Sequence, residues 1–359
     1  MNQEKSKIIW FHKHQRDRFA LMMAALLAVS AVVFVWGIST SKYEIGFLEA
    51  YRVLVDHIMG VPLDGTYESW MRDYVVVDLN IPRLVGGITI GVALAVSGAI
   101  MQSMIRNPLA DPYTTGISSG ALLGVSVYIA MGICLIPGLD GDVAQMTNAF
   151  LFSLIPTAAI LAFTAMKRSI TPTMMILVGI GVMYLFSAVS SMVRYQADPD
   201  AAHEIFTWTL GTLGRVSWDN MWILVVASAC ILVFGIAVSK TLNALTAGDN
   251  LAKCLGVNVR LFRATCLVAV AAVTGIVVSF SGTIGFVGLV CPHIARMLVG
   301  SNNRYLIPCS ALVGAVMLMF TDSVAKIITT SGLPVGAITA LIGSPIFVYL
   351  LIKQKKNIW

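Results

Sequence analysis

Residues 97–112 read "SGAIMQSMIRNPLADP". The stretch begins as a lipid-compatible helix and stops on Arg106, Asn107 and two prolines. Proline fixes its own backbone angle, lacks an N–H and pushes the preceding residue out of the helical region, so Pro108 and Pro112 end the helix in a rigid turn. A second stretch, "SGTIGFVGLVCP" at 281–292, repeats Ser-Gly-x-Ile and again reaches a proline eleven residues after its serine. At an offset of 184 positions, Gly91, Ser97, Gly98, Ile100, Pro108 and Gly116 match Gly275, Ser281, Gly282, Ile284, Pro292 and Gly300. Five apolar spans separate the copies, and an odd number makes such a repeat inverted, a pattern of transporters.

The surroundings of both stretches are apolar. Of 359 residues 57% are hydrophobic and only 12% charged, with a mean hydropathy of +0.83. Soluble chains carry about 25% charged residues, so this surface suits a bilayer. Apolar runs near 20 residues, the length needed to cross, recur at 19–38, 84–105, 117–137, 149–166, 174–194, 221–239, 264–281, 284–299, 306–329 and 335–352. Ten helices are expected, because backbone in lipid must bond internally. The fold class is all-α, a polytopic membrane protein of about ten transmembrane helices. The first span follows a basic start but exceeds a signal h-region and lacks a clear A-x-A site, so it reads as a retained helix.

Basic residues set orientation. With residues 1–18 inside as a tail, 17 of the 24 Lys and Arg fall on inner segments, and both termini come out cytoplasmic. Acidic residues divide 4 inside and 14 outside, so the inner side carries +13 and the outer side −7. The basic surplus belongs to the inner membrane face and calls for no nucleic acid. One transmembrane domain spans 1–359, with an outer segment at 40–83 and an inner one at 240–263. A second outer segment, 194–218, is expected to hold a short helix after Pro199. Six cysteines without C-x-x-C spacing suggest neither disulfides nor zinc; they read as small buried apolar residues. Glycines and alanines at 86, 87, 91, 95, 98, 179 and 181 allow close helix approach.

Charged residues inside spans are the usual functional flags, and here they are scarce. Asp322 lies four residues before Lys326, a spacing that pairs them on one helix face. His293 follows Pro292 near the inner end of a span. The chain contains no H-E-x-x-H, no G-x-S-x-G and no G-x-x-x-x-G-K-[ST] phosphate loop. Energy for transport is therefore expected from a partner on the basic inner face, with an ion-coupled secondary transporter through Asp322 as the alternative. "GDNLAKCLGVNV" (248–259) reads as a short helix broken at Gly256 that serves either as an amphipathic connector or as a lever for that partner.

Three long stretches resemble the FecCD-type permeases of bacterial ABC importers for iron-siderophores, haem and cobalamin. "IPRLVGGITIGVALAVSGAIMQSMIRNPLADP" (81–112) is similar to the family's R-L-P-R…S-G-x-x-x-Q-x-x-x-x-N-P-L-A-x-P. "GTIGFVGLVCPHIARMLVG" (282–300) and "LPVGAITALIGSPIFVYLL" (333–351) resemble its G-x-I-G-F-[VI]-G-L-x-x-P-H-x-x-R and L-P-[VI]-G-x-x-T-x-x-x-G-x-P-x-F. The resemblance implies a type II ABC importer permease fold. It implies a homodimer in the bacterial cytoplasmic membrane, two ATPase subunits carrying ATP-Mg inside, and a periplasmic or lipoprotein substrate-binding protein outside. No cofactor is implied in this chain.

The inner docking motif G-E-x-x-A-x-x-L-G falls on Gly248, Asp249, Ala252, Leu255 and Gly256, with Asp for Glu. Arg83 matches the second arginine of R-L-P-R and Lys326 falls where members often carry arginine, so both are implied contacts for the binding protein. Asn80 stands in place of the first arginine and Gly332 in place of a common glutamate, which brings Arg52 and Arg72 forward as further outer bases. The inner threshold of the path maps to Thr171 and Thr173. Asn107, Pro108, Pro292 and His293 are expected to form structural turns at the inner surface.

Overall fold

A computed structural model describes residues 2–41, 43, 45–166, 171–328 and 333–353, with side chains described from residue 16 and not at 351 and 353. Lys42, Lys167, Arg168, Gly332 and the side chains of Lys5, Lys7, Lys13, Lys353, Lys355 and Lys356 lie outside that set. In chain order the helices are α1 (Asn2–Ser39), α2 (Phe47–Ile58), α3 (Tyr67–Asp73), α4 (Ile81–Ile105), α5 (Ile117–Met131), α6 (Gly141–Met166) and α7 (Pro172–Gln196). They continue with α8 (Pro199–Thr209), α9 (Met221–Thr246), α10 (Asp249–Cys254), α11 (Val259–Ser281), α12 (Val287–Val299), α13 (Asn303–Ile328) and α14 (Val335–Lys353). Seven are long and apolar enough to cross a membrane alone, and α5, α12 and α14 are shorter apolar helices. Together these ten cover the ten expected spans.

α4 is the central rod. Its residues from Ile90 to Ile105 are nearly all buried, wrapped by α9, α11, α12 and α13. Its glycines explain how the wrapping closes. A Cβ built on Gly91 would collide with the carbonyl of Gly314 in α13, and one on Gly98 with the carbonyl of Gly288 in α12. Only glycine lets two helix backbones meet there. Gly179 likewise faces the backbone of Thr114 and Thr115, whereas Gly181 has nothing within 4 Å. α1 lies at the periphery, against α13 through Phe19–Tyr305 and Trp36–Phe320 ring contacts.

Two crossings are half irregular. α4 ends at Arg106, whose backbone is left-handed (φ 56°, ψ 40°) and whose N–H bonds Gln102. The Asn107 Oδ1 accepts from the Leu109 N–H at 2.9 Å, so Asn107 and Pro108 do lie in a turn. The chain then climbs back: Asp111 and Pro112 reach Gly288, and Tyr113 Oη accepts from the Ile284 N–H at 3.3 Å. Asp111 caps a 3-10 turn over Pro112–Thr115, and α5 starts only at Ile117. At 1.5 Å per residue α5 is about 22 Å long and α12 about 20 Å, short of the ~30 Å hydrocarbon core. Residues 107–116 and 282–286 make up the difference. Non-helical backbone at that depth is tolerated only when enclosed by protein, and Ser281, Ile284 and Pro112 are buried.

Several expectations are corrected. Pro292 and His293 form no turn; both lie buried inside α12. The offset-184 matches fall in unlike places: Ser97-Gly98 sits mid-α4, while Ser281-Gly282 ends α11 with Gly282 at φ 68°. The α5 crossing ends at Met131, capped by left-handed Gly132, rather than at 137. Among the cysteines, Cys266, Cys291 and Cys309 are buried, but Cys230 and Cys254 are exposed; all six are free thiols.

Gly98→Ala is expected to cost about 1–3 kcal/mol through overpacking and to lower the melting temperature in detergent. Gly181→Ala should stay within about 0.5 kcal/mol. Equal thermal shifts for the two variants would remove the α4–α12 contact from this account.

Candidate functional site

Ion pairs segregate to the two ends of the bundle. Among the described residues, each pair joins groups that the basic-residue count assigns to the same face, and none crosses. The two ends are called outer and inner below after that expectation.

At the outer end, Asn80, Arg83, Asp322 and Lys326 form one cluster. Arg83, in the first turn of α4, donates through Nε to Asp322 Oδ1 at 2.7 Å. Lys326 Nζ stands 3.4 Å from Asp322 Oδ2 and donates to Asn80 Oδ1 at 3.0 Å. Asn80 in turn donates to the carbonyl of Ile38 at the end of α1. The Asp322–Lys326 pair expected from spacing is present, and Arg83 joins it from 239 positions away. Two cations share one carboxylate, leaving the cluster net positive.

A cavity of about 370 Å³ opens beside the cluster, lined by Tyr43, Asn80, Arg83 and Lys326 among others. Lys326 is 5% exposed and Arg83 22% by side chain. Neither is a free surface base: both are already committed to Asp322.

Between α1 and α4 the outer segment folds as a clasp. Arg72 bonds Glu49, and His57 Nδ1 lies 2.8 Å from Asp73 Oδ1. A π-helix at Tyr74–Asn80 carries α3 into α4, and Trp218 Nε1 donates to the Val77 carbonyl at 3.1 Å. Arg52 is 84% exposed beside Asp56, whereas Arg72 is 34% exposed and held between Glu49 and Glu68. A groove of about 990 Å³ runs between α2 and α3. On the same face, Thr66 hydrogen bonds hold the Asp64 carboxyl below its usual range.

At the inner end, α9 turns through Gly248 (φ 129°) into α10. Asp249 does not face outward. The Arg263 guanidinium donates to both its oxygens at 2.8 and 2.9 Å, and Arg106 adds a third contact at 3.4 Å. Ala252 is buried against Leu245 and Val259. Leu251 and Leu255 are instead 48% and 65% exposed. Gly256 has a left-handed φ of 82° and open space around it. The implied docking residues thus divide: Asp249 and Ala252 fasten α10 to the bundle, and Leu255, with Leu251 beside it, meets solvent.

Thr171 caps α7 by accepting from the Met174 N–H at 3.3 Å, and both Thr171 and Thr173 are exposed at that helix end. Sequence reasoning missed a polar lattice around the last turn of α4. Gln102 donates to the Leu289 carbonyl at 3.2 Å and accepts from Arg296 at 3.2 Å. Ser103 donates to Asn303 at 2.7 Å, and Asn243 accepts from the Asn303 side chain at 2.9 Å. Partners so far apart in sequence leave no local signal. His293 Nδ1 is buried without a hydrogen-bond partner among the described residues. No group of three or more His, Cys, Asp or Glu there could hold a metal ion.

The FecCD transport family matches residues 26–353. This chain belongs to that family. The haemin transport permease HmuU of Yersinia pestis is 37% identical over 298 residues, 82% of this chain and 86% of the relative. The vitamin B12 import permease BtuC of Vibrio vulnificus is 34% identical over 346 residues, 96% of each. A solved inward-facing structure of a metal-chelate type ABC transporter shares 27% identity and superposes with a TM-score of 0.80, covering 93% of this chain and all of that one. As a FecCD-family member the chain is a multi-pass membrane protein and a transport permease.

Removing one partner from a buried ionic cluster strands the others at about 3–5 kcal/mol. Asp322→Ala should therefore lower thermal stability sharply, while Arg52→Ala, at an exposed pair, should cost no more than about 1 kcal/mol. Comparable melting shifts for the two in detergent would mean that the cluster contributes nothing.

Proposed function

We propose that this FecCD-family chain is the membrane permease of an ATP-driven importer for an iron chelate, haem or cobalamin. Two copies pair in the bacterial cytoplasmic membrane with both termini inside. Two ATPase subunits, which carry the ATP-Mg, press on α10, and a substrate-binding protein docks outside. The chain offers a path and performs no covalent chemistry. Relatives named for haemin and vitamin B12 support this cargo class. The observation that carries the reading is α10 itself: a short helix with Leu251 exposed on it and Leu255 exposed at its C-cap, fixed to the bundle by a buried guanidinium.

The remaining assignments follow from this arrangement. The apolar faces of α7 and α14, including Leu177, Tyr184, Leu185 and Leu341, suit pairing with the second copy or with lipid. Thr171 and Thr173, exposed at the inner end of α7, suit the inner threshold. Arg83 and Lys326 reach the binding protein only through the cavity they line, whereas Arg52 is exposed beside Asp56. Coupling through Asp322 in a secondary transporter fits poorly, because that carboxylate is shared by two cations and 1% exposed.

The chain with its ATPase and binding protein in proteoliposomes should accumulate cargo only with ATP. Leu251→Asp with Leu255→Asp should weaken ATPase association at least about tenfold, the effect of losing roughly 1.4 kcal/mol of binding. Uptake by the chain alone, or uptake that survives ATP depletion and collapses with an ionophore, would establish the secondary-transporter reading instead.

A further inference from the structure

The grip on Asp249 is more elaborate than anchoring a six-residue helix requires. Arg263, 2% exposed, supplies a two-pronged bond from α11, and such bidentate pairs fix orientation as well as position. Arg106 reaches the same carboxylate from the end of α4, and its Nη1 lies 4.0 Å from the Cβ site of Gly248, against the turn that starts α10. Arg106 does so from a left-handed backbone, one of only two non-glycine residues with positive φ among those described. A bulky side chain in that region signals a constraint imposed by its surroundings. One turn earlier, Gln102 and Ser103 tie the same end of α4 to α12 and α13.

We propose that Arg106 and Arg263 are positioning residues for energy coupling. They clamp α10 to α4 and α11 through Asp249, so that displacement of α10 by a docked partner is delivered to the central helix and thence to α12 and α13. Arg263, buried and bidentate, is the fixed hinge of the clamp. Arg106, 39% exposed and at 3.4 Å, is the arm that links α10 to α4. Asp249 works inward as the shared anchor, and the leucines beside it work outward. The inference rests on α10 being the ATPase contact.

The test uses the full transporter in proteoliposomes and reads cargo moved per ATP hydrolysed. Arg106→Gln removes the charge and keeps the length; Arg106→Gly removes the charge and relieves the backbone; Arg106→Lys keeps the charge. With the clamp, Gln and Gly variants assemble with the ATPase and hydrolyse ATP, yet cargo per ATP falls about tenfold, within the 5–150-fold span of coupling energies. Lys restores most of it. Wild-type stoichiometry in Arg106→Gln overturns the proposal, as does a Lys variant as uncoupled as Gln, or recovery in the Gly variant. Asp249→Asn reads the same clamp from the other side should Arg106→Gln fail to purify, with the same loss expected and wild-type stoichiometry again overturning it. ATPase assembly that ignores the Leu251 and Leu255 substitutions would remove the docking reading and this inference with it, a failure distinct from intact assembly with unchanged coupling.

Discussion

The structure depends on α4 being packed tightly along its length and tied at both ends. Arg83 in its first turn grips Asp322 of α13, and Arg106 at its last grips Asp249 of α10. Each carboxylate is shared with a second cation, Lys326 outside and Arg263 inside. At 1.5 Å per residue the two arginines stand about 35 Å apart, one near each boundary of the hydrocarbon. Between them the glycine contacts with Gly288 and Gly314 leave no slack, because backbone touches backbone. A helix packed this closely moves with its neighbours or repacks to a second discrete arrangement, since dense interiors do not deform gradually.

The same packing explains why two crossings can abandon helical geometry. In lipid, residues 107–116 and 282–286 would expose unpaired peptide groups at several kcal/mol each. Here each segment has a helical wall against it, α12 for the first and the α8–α9 junction for the second. The Thr212 N–H donates to the Ser281 carbonyl at 2.8 Å, and Thr283 Oγ1 donates to the Thr209 carbonyl. Short α5 and α12 are consequences of where those segments find partners.

How much of this could be read from the residues divides along a physical line. Hydropathy found every crossing, because solvent class is a property of local composition. It missed where α5 ends and where α12 begins: "GTIGF" is as apolar as the helix after it, and hydropathy does not distinguish helical from irregular backbone buried in protein. The proline reading worked at Pro108, where a turn follows the helix, and failed at Pro292, which α12 absorbs in its second turn. Spacing revealed Asp322 with Lys326 because four residues make one helical step. It could not reveal Arg83 with Asp322 or Gln102 with Arg296, whose partners meet only after the bundle closes. The family motif located α10 but suggested that its acidic residue faces a partner, when the geometry turns that residue inward and leaves the leucines exposed.

The two carboxylates on α4's arginines differ in a way that bears on direction of movement. Asp322 is nearly sealed, 1% exposed, on a long helix packed against α4 along most of its length. Asp249 is 29% exposed on a helix of six residues that touches only α9 and α11 appreciably. Exposed ion pairs exchange with water at little cost, whereas buried ones do not. The outer end of α4 is thus the stiffer attachment and the inner end the compliant one. A push at α10 acts where the rod can pivot, and the outer cluster supplies the fixed point against which it turns.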